Sequence, residues 1–338
     1  MVVRFHRALI QTLSDQSRSQ PPVKREFAVA MNTNEQRPVA AHDEIVPTGF
    51  PPDHELAKLD VYQSYKKSPY LSLKHSSYFQ VYADLFERYR GKEITFVEVG
   101  VLNGGSLFMW RDYFGPKARI IGVELNPLAK KWESHGFEIH IGSQSDPVFW
   151  DDFFKKVGTV DVVLDDGGHT YEQQIVTAHY CIPNVKNGGL LVVEDTHTSY
   201  MKPFGYPTKY SFVEWAKKLA DNINARFPNL DHSSLIYKKY IYSISFFESI
   251  VSFTIDRSKC FDSSPTSNGG VTSNAVDYWS KDTPIETITS IATAERRLST
   301  SLNILKYIPF ARRVKRFVFE TPKLLLMQNS LRKLKRYF

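Results

Sequence analysis

Thr95-Phe96-Val97-Glu98-Val99-Gly100-Val101-Leu102-Asn103-Gly104-Gly105-Ser106-Leu107-Phe108-Met109-Trp110 carries three local signals in one stretch. The β-branched, apolar run Thr95 to Val99 reads as a strand, the glycine-bearing segment to Ser106 as a tight turn, and Leu107, Met109 and Trp110 as the opening of an apolar helix. A strand that passes through glycines into a helix begins a β-α-β crossover and offers a nucleotide-type pocket. The spacing G-x-x-x-G-G departs from the G-x-G-x-x-G of a pyrophosphate-binding loop, so a nicotinamide enzyme is disfavoured. The competing reading is a purely structural turn.

Outward from that stretch the alternation repeats. Short apolar runs at Arg119 to Glu124, Glu138 to Ile141, Val160 to Leu164 and Leu190 to Glu194 are separated by helical segments. This order predicts right-handed crossovers and a parallel sheet. The expected fold class is α/β, a doubly wound, Rossmann-like sheet with its ligand site at the carboxyl ends of the strands. Upstream, Tyr78, Val81, Tyr82, Leu85 and Phe86 recur at three- and four-residue steps and predict an amphipathic helix from Tyr70 to Arg90. Downstream, the pattern predicts a helix over Ser211 to Ala225. A terminal antiparallel hairpin follows, Ile241 to Phe247 and Ile250 to Asp256, joined at Glu248-Ser249.

Four places carry chemistry. Beyond the glycine loop, Glu124 ends the second strand, where a carboxylate accepts hydrogen bonds from the hydroxyls of a bound ribose; in isolation any exposed Glu at a strand end looks the same. After the third strand, Gly142-Ser143-Gln144-Ser145-Asp146 supplies small polar groups that suit an adenine edge, while Asp146 equally suits a cap on the helix beginning near Pro147. The densest signal is a pair of acidic clusters at strand ends, Asp165-Asp166-Gly167-Gly168-His169 and Glu194-Asp195-Thr196.

The crossover rule sets those clusters side by side, and four converging carboxylates repel one another unless a hard cation such as Mg²⁺ or Mn²⁺ is bound. Such a cation makes an acceptor hydroxyl more acidic and fixes its oxygen. His169, on the same loop, is placed to take that proton as general base, a role worth roughly 10²–10⁴-fold in rate. A lone His more often packs or caps. His197, Thr198, Ser199 and Tyr200 border the expected acceptor pocket or simply shape its loop, and Phe204, Tyr206 and Tyr210 read as a sugar-stacking wall or as core.

Composition bounds the rest. With 338 residues, 42% hydrophobic and 14% aromatic, the chain can bury a large core, and one catalytic domain with appendages is expected. Cys181 and Cys260 lack the spacing of a disulfide framework or zinc site. No run approaches the roughly 20 apolar residues of a membrane span, and Met1 to Gln20 lacks a signal-peptide core, so a cytoplasmic location is expected. Of the net charge of +7, residues 306–338 supply +9 through ten Lys or Arg against Glu320, which leaves −2 for the remainder. The catalytic region therefore has no excess positive charge to attract nucleic acid. The basic tail, with Leu305, Tyr307, Ile308, Phe310, Phe317 and Leu324 to Met327, suits peripheral contact with an anionic membrane. It equally suits helices packed on the domain or on a partner subunit.

Taken in order, E-[IV]-G-x-x-x-G-G-S-x-x-x-W, G-x-Q-S-D, D-D-G-x-H and V-x-E-D-x-x-T-x-Y make the span from about His75 to Asp256 resemble a known group. These are the bacterial Mg²⁺-dependent class I S-adenosylmethionine sugar O-methyltransferases, comprising macrolide-sugar, cephalosporin hydroxylase-like and rhamnosyl O-methyltransferase types. The resemblance implies S-adenosylmethionine held among Glu98, Gly100, Asn103, Gly104, Gly105, Ser106, Glu124, Gln144, Ser145, Asp146 and Asp165. It implies a metal on Asp166, Glu194 and Asp195, and His169 as base; whether Asp165 or Asp166 is the direct ligand stays open. It also implies a seven-stranded sheet ending antiparallel. The acceptor expected is a sugar hydroxyl on a glycolipid, polysaccharide or glycosylated natural product. The alternatives are a catechol-type phenolic acceptor, or a non-catalytic binding module that docks through its tail. The expected organisation is a disordered leader over 1–55, a methyltransferase domain over 56–256, a linker or loop over 257–282 and a basic helical extension over 283–338. A homo-oligomer is compatible with the sequence.

Overall fold

The computed structural model describes residues 51, 54–228, 236–273, 285–301 and 316–337. The expected leader, apart from its last few residues, lies outside them, as do Leu305, Tyr307, Ile308 and Phe310 of the tail. The chain divides into two compact units, Met1–Ser263 and Ser264–Phe338.

The first unit is built on a seven-stranded sheet. Its strands are β1 (Thr95–Val99), β2 (Arg119–Glu124), β3 (Glu138–Ile141), β4 (Val160–Asp165), β5 (Val185–Val193), β6 (Ile241–Phe247) and β7 (Ile250–Ile255). They lie in the order β3-β2-β1-β4-β5-β7-β6. The first five are parallel, and the β6–β7 hairpin closes the edge antiparallel against β5. Helices cover both faces, which is why these strands are nearly continuous in apolar residues instead of alternating. On one face Tyr82, Phe86, Phe96, Trp110 and Phe114 form an aromatic cluster. On the other, Trp150, Phe153, Phe212 and Phe253 fill the core.

Local chemistry sets the ends of the helices. Asp146 caps the helix Pro147–Val157 by accepting from the Val148 amide, and Thr170 with Gln173 forms a reciprocal cap on Tyr171–Cys181. Two expected helices differ. The segment predicted from Tyr70 becomes helical only over Tyr78–Phe86, because residues 68–77 form an irregular strap held by tertiary contacts. Ser68 donates to the Gly105 carbonyl, and Tyr65 to the Ser72 carbonyl. The segment predicted from Ser211 to Ala225 divides into Phe212–Lys218 and Ala220–Asn224 at Leu219, whose amide bonds back to Ala216 in a tighter turn. β5 also begins five residues earlier than the apolar run suggests.

In the second unit the described residues include the helices Ile285–Ser301 and Thr321–Leu334, tied by a Lys323–Glu295 ion pair at 2.6 Å. Among the described residues no helix is long and apolar enough to cross a membrane.

Two features of β1 position everything above the sheet. Glu98 is fully buried, and its carboxylate accepts from Ser106 Oγ at 2.7 Å and Trp110 Nε1 at 3.0 Å, pinning the strand to the helix Gly105–Phe114. Gly100, at φ +91°, lies so close to the next loop that a Cβ there would stand 2.1 Å from the Asp166 carbonyl oxygen. Gly136 has a similar φ of +82° with nothing within 4 Å of an added Cβ. Gly100→Ala is therefore expected to destabilise by more than about 2 kcal/mol, against about 1 kcal/mol for Gly136→Ala, in denaturant unfolding. Equal costs would show that the close approach is not needed.

Burial pushes the Glu98 carboxyl up to about 7, against the pull of Lys74. A carboxyl raised on folding holds its proton more tightly in the native state, so its contribution to stability is lost as pH rises through about 7. The melting temperature of the wild type should thus fall relative to Glu98→Gln between about pH 5 and about pH 8. Parallel profiles would contradict this.

Candidate active site

The loops at the carboxyl ends of β1, β2, β4 and β5 lie side by side and are linked to one another. The glycine loop after β1 is clamped by Glu124, whose Oε2 accepts from the Val101 and Leu102 amides and whose Oε1 accepts from Leu125 and Asn126, all at 2.8–3.0 Å. These four bonds hold its carboxyl below the ordinary range against the opposing effect of burial. The ribose reading of Glu124 thus meets a carboxylate already engaged with backbone, and a ribose there would share those acceptors.

The glycines make room for protein. An added Cβ would meet the Trp132 ring 2.4 Å away at Gly104 and the Tyr70 carbonyl oxygen 2.3 Å away at Gly105. Asn103 lies exposed in the loop.

Gln144 is buried and links two loops. Its amide donates to Asp165 Oδ1 at 2.9 Å and accepts from the Gly168 amide at 2.7 Å. Ser145 is half-buried and pairs with Ser143 at 3.0 Å, while Asp146 is exposed beside its cap. Asp165 faces this side. Its Oδ2 is buried with no hydrogen-bond partner among the described residues, and burial pushes its carboxyl up to about 7. Of the adjacent pair it is Asp166 that faces the β5 cluster.

At that cluster the structure brings Asp166, His169 and Asp195 together, with ligating atoms within 4.8 Å of one another. His169 Nε2 lies 3.2 Å from Asp195 Oδ2 and 4.0 Å from Asp166 Oδ1, and Nδ1 is buried without a partner among the described residues. Both His169 (φ +59°) and Asp195 (φ +53°) are held in the left-handed region, strain of a kind concentrated at functional sites. The Thr198 hydroxyl fixes the His169 carbonyl at 2.9 Å, and the Ser199 carbonyl accepts from Tyr171. Tyr200, Tyr206 and Tyr210, which follow the β5 cluster in the chain, are exposed.

Glu194, the remaining member of the expected metal set, shares one ammonium with Asp166. It is fully buried, with Oε1 accepting from the Tyr82 hydroxyl and Oε2 from Lys74 Nζ at 2.9 Å. The same ammonium donates to Asp166 Oδ2 at 2.5 Å. Burial alone would lower the Lys74 pKa, but Asp166, Glu194 and Glu98 hold it well above the ordinary lysine range. The repulsion that the sequence argument assigns to a bound cation is thus offset in part by a side chain from the strap. Tyr78 adds a hydrogen bond to Asp195 Oδ1 at 2.5 Å. His75 and His197 approach that oxygen at 3.8 and 3.9 Å. Lys74, Tyr78 and Tyr82 escape sequence reasoning because they lie 92 to 120 residues from their partners. The carboxylate oxygens of Asp166 and Asp195, which face His169, fit a hard divalent cation, which leaves the imidazole free.

Residues 97–196 match the family model described as a methyltransferase domain. The chain is 32% identical over 178 residues, 47% of its own length and 46% of the relative's, to the 8-demethyl-8-alpha-L-rhamnosyl tetracenomycin-C 2'-O-methyltransferase of Streptomyces olivaceus. It is 36% identical over 137 residues, 37% of this chain and 33% of the relative, to the 8-demethyl-8-(2-methoxy-alpha-L-rhamnosyl)-tetracenomycin-C 3'-O-methyltransferase of the same organism. The matched part thus spans less than half of each relative. A crystal structure described as the MycE methyltransferase from the mycinamycin biosynthetic pathway in complex with Mg and SAH has a TM-score of 0.52 at 25% identity, covering 59% of this chain and 54% of that chain. The sheet order and the strand-end motifs agree with this likeness to a methyltransferase domain over residues 97–196.

Proposed function

We propose that this chain transfers the methyl group of S-adenosylmethionine to a hydroxyl of a sugar on a glycosylated small molecule, with a divalent cation, Mg²⁺ or Mn²⁺, on Asp166, Glu194 and Asp195. The observation that carries the reading is the meeting of Asp166, His169 and Asp195 at the ends of β4 and β5, beside the glycine loop of β1. Two relatives named as methyltransferases of rhamnosyl tetracenomycins support the sugar acceptor, and the neighbour described with Mg and SAH supports the donor and the metal.

When bound, the cation supplies positive charge that makes an acceptor hydroxyl more acidic. The protein does the rest. His169 takes the hydroxyl proton on Nε2, the nitrogen that faces Asp166 and Asp195, as the oxygen attacks the methyl carbon; an O–C bond forms, the C–S bond breaks and S-adenosylhomocysteine leaves. The glycine loop, held by Glu98 and Glu124, positions the donor, with Ser145 and Asp146 at its adenine end. The exposed Tyr200, Tyr206 and Tyr210 offer ring faces to the sugar.

The test uses calorimetry for the donor and transfer of labelled methyl to rhamnosylated acceptors. His169→Ala should lose roughly 10²–10⁴-fold in turnover with donor affinity unchanged. Full turnover in that variant would remove His169 as base, and failure of the wild type to bind S-adenosylmethionine would overturn the function.

A further inference from the structure

Lys74 is an unusual occupant for a pocket read as a cation site. Its side chain is 1% exposed, and its ammonium lies between Asp166 Oδ2 and fully buried Glu194 Oε2. Tyr82 closes the remaining side, with its hydroxyl on Glu194 Oε1 and its ring 5.9 Å from the ammonium. An ammonium and a divalent ion cannot share that gap, since two cations a few ångströms apart in a dry site repel strongly. The side chain belongs to the 68–77 strap, whose own anchors are at the donor loop. Ser68 Oγ donates to the Gly105 carbonyl at 2.7 Å, and the backbone of Tyr70 and Leu71 lies against Gly105.

From this geometry we propose that Lys74 is the resident counter-cation of the acidic pocket, a positioning residue that a divalent ion must displace, so that metal entry moves the strap lying against the glycine loop. This rests on the reading of Asp166 and Glu194 as metal ligands. Lys74 weakens divalent binding by competition and keeps Asp166 and Glu194 in place before the metal arrives. Its departure carries the Ser68–Ser77 backbone with it, linking the metal to the donor side of the pocket.

The experiment titrates Mn²⁺ and, separately, S-adenosylmethionine into the full chain, Lys74→Met and Lys74→Arg, and follows amide exchange over residues 68–77. Lys74→Met should bind Mn²⁺ more tightly by roughly 5–150-fold, Lys74→Arg should remain as weak as the wild type, and exchange in the wild-type strap should rise on adding Mn²⁺. A purely structural role for Lys74 predicts the opposite, a weaker metal site in the methionine variant. Equal or weaker binding in Lys74→Met, or an unchanged wild-type strap, overturns the proposal; the second readout needs no folded variant. If the donor binds but neither protein takes up Mn²⁺, the competition falls and methyl transfer survives. If metal binding tightens in Lys74→Met while the donor binds to neither, the competition stands and the transfer reading falls.

Discussion

Asp166 and Glu194 meet one buried ammonium at the carboxyl ends of β4 and β5, and the arrangement of the upper half of the domain follows from that contact. An unpaired carboxylate as deeply buried as Glu194 would cost several kcal/mol. Lys74 and the Tyr82 hydroxyl satisfy it, which brings the helix Tyr78–Phe86 and the 68–77 strap to the end of β5. Asp195, one residue further, is satisfied differently, by Tyr78 and His169, so neighbouring acids on one loop face two sides of the same pocket.

Much of the scaffold was legible in the sequence because it rests on local pattern. Strands announce themselves as apolar, β-branched runs, and the bounds of the parallel β1, β2 and β3 and of the antiparallel edge strand β6 coincide with those runs. The hairpin was visible from two apolar stretches separated by Glu248-Ser249. The acidic clusters could be placed beside each other because a crossover fixes strand neighbours regardless of side-chain detail. What local pattern does not carry is the identity of distant partners. A single Lys in Leu73-Lys74-His75 has no periodic signature, and tertiary hydrogen bonds drew its segment out of the predicted helix. The glycines were legible as a tight turn, but the groups for which they make room, the Asp166 carbonyl, the Trp132 ring and the Tyr70 carbonyl, come from elsewhere in the chain.

The loops act as one framework. Glu124 joins the ends of β1 and β2, Gln144 joins the third-strand loop to the Asp165–His169 loop, and the close approach of Gly100 to Asp166 joins β1 to β4. A group held this way loses little freedom when a ligand arrives, which is what a transfer reaction between two bound molecules requires. The strained backbone at His169 and Asp195 belongs to the same framework, and the two side chains meet there at 3.2 Å.

The proposed site holds a divalent cation on Asp166, Glu194 and Asp195 beside the glycine loop. Diffraction from crystals grown with Mn²⁺ and S-adenosylhomocysteine, recorded for anomalous scattering, tests it most directly. A cation held there gives one strong peak within bonding distance of those three carboxylates, with Lys74 withdrawn from between them. A pocket free of scattering with Lys74 still bridging Asp166 and Glu194, or a peak held instead by His75 and His197, would contradict it.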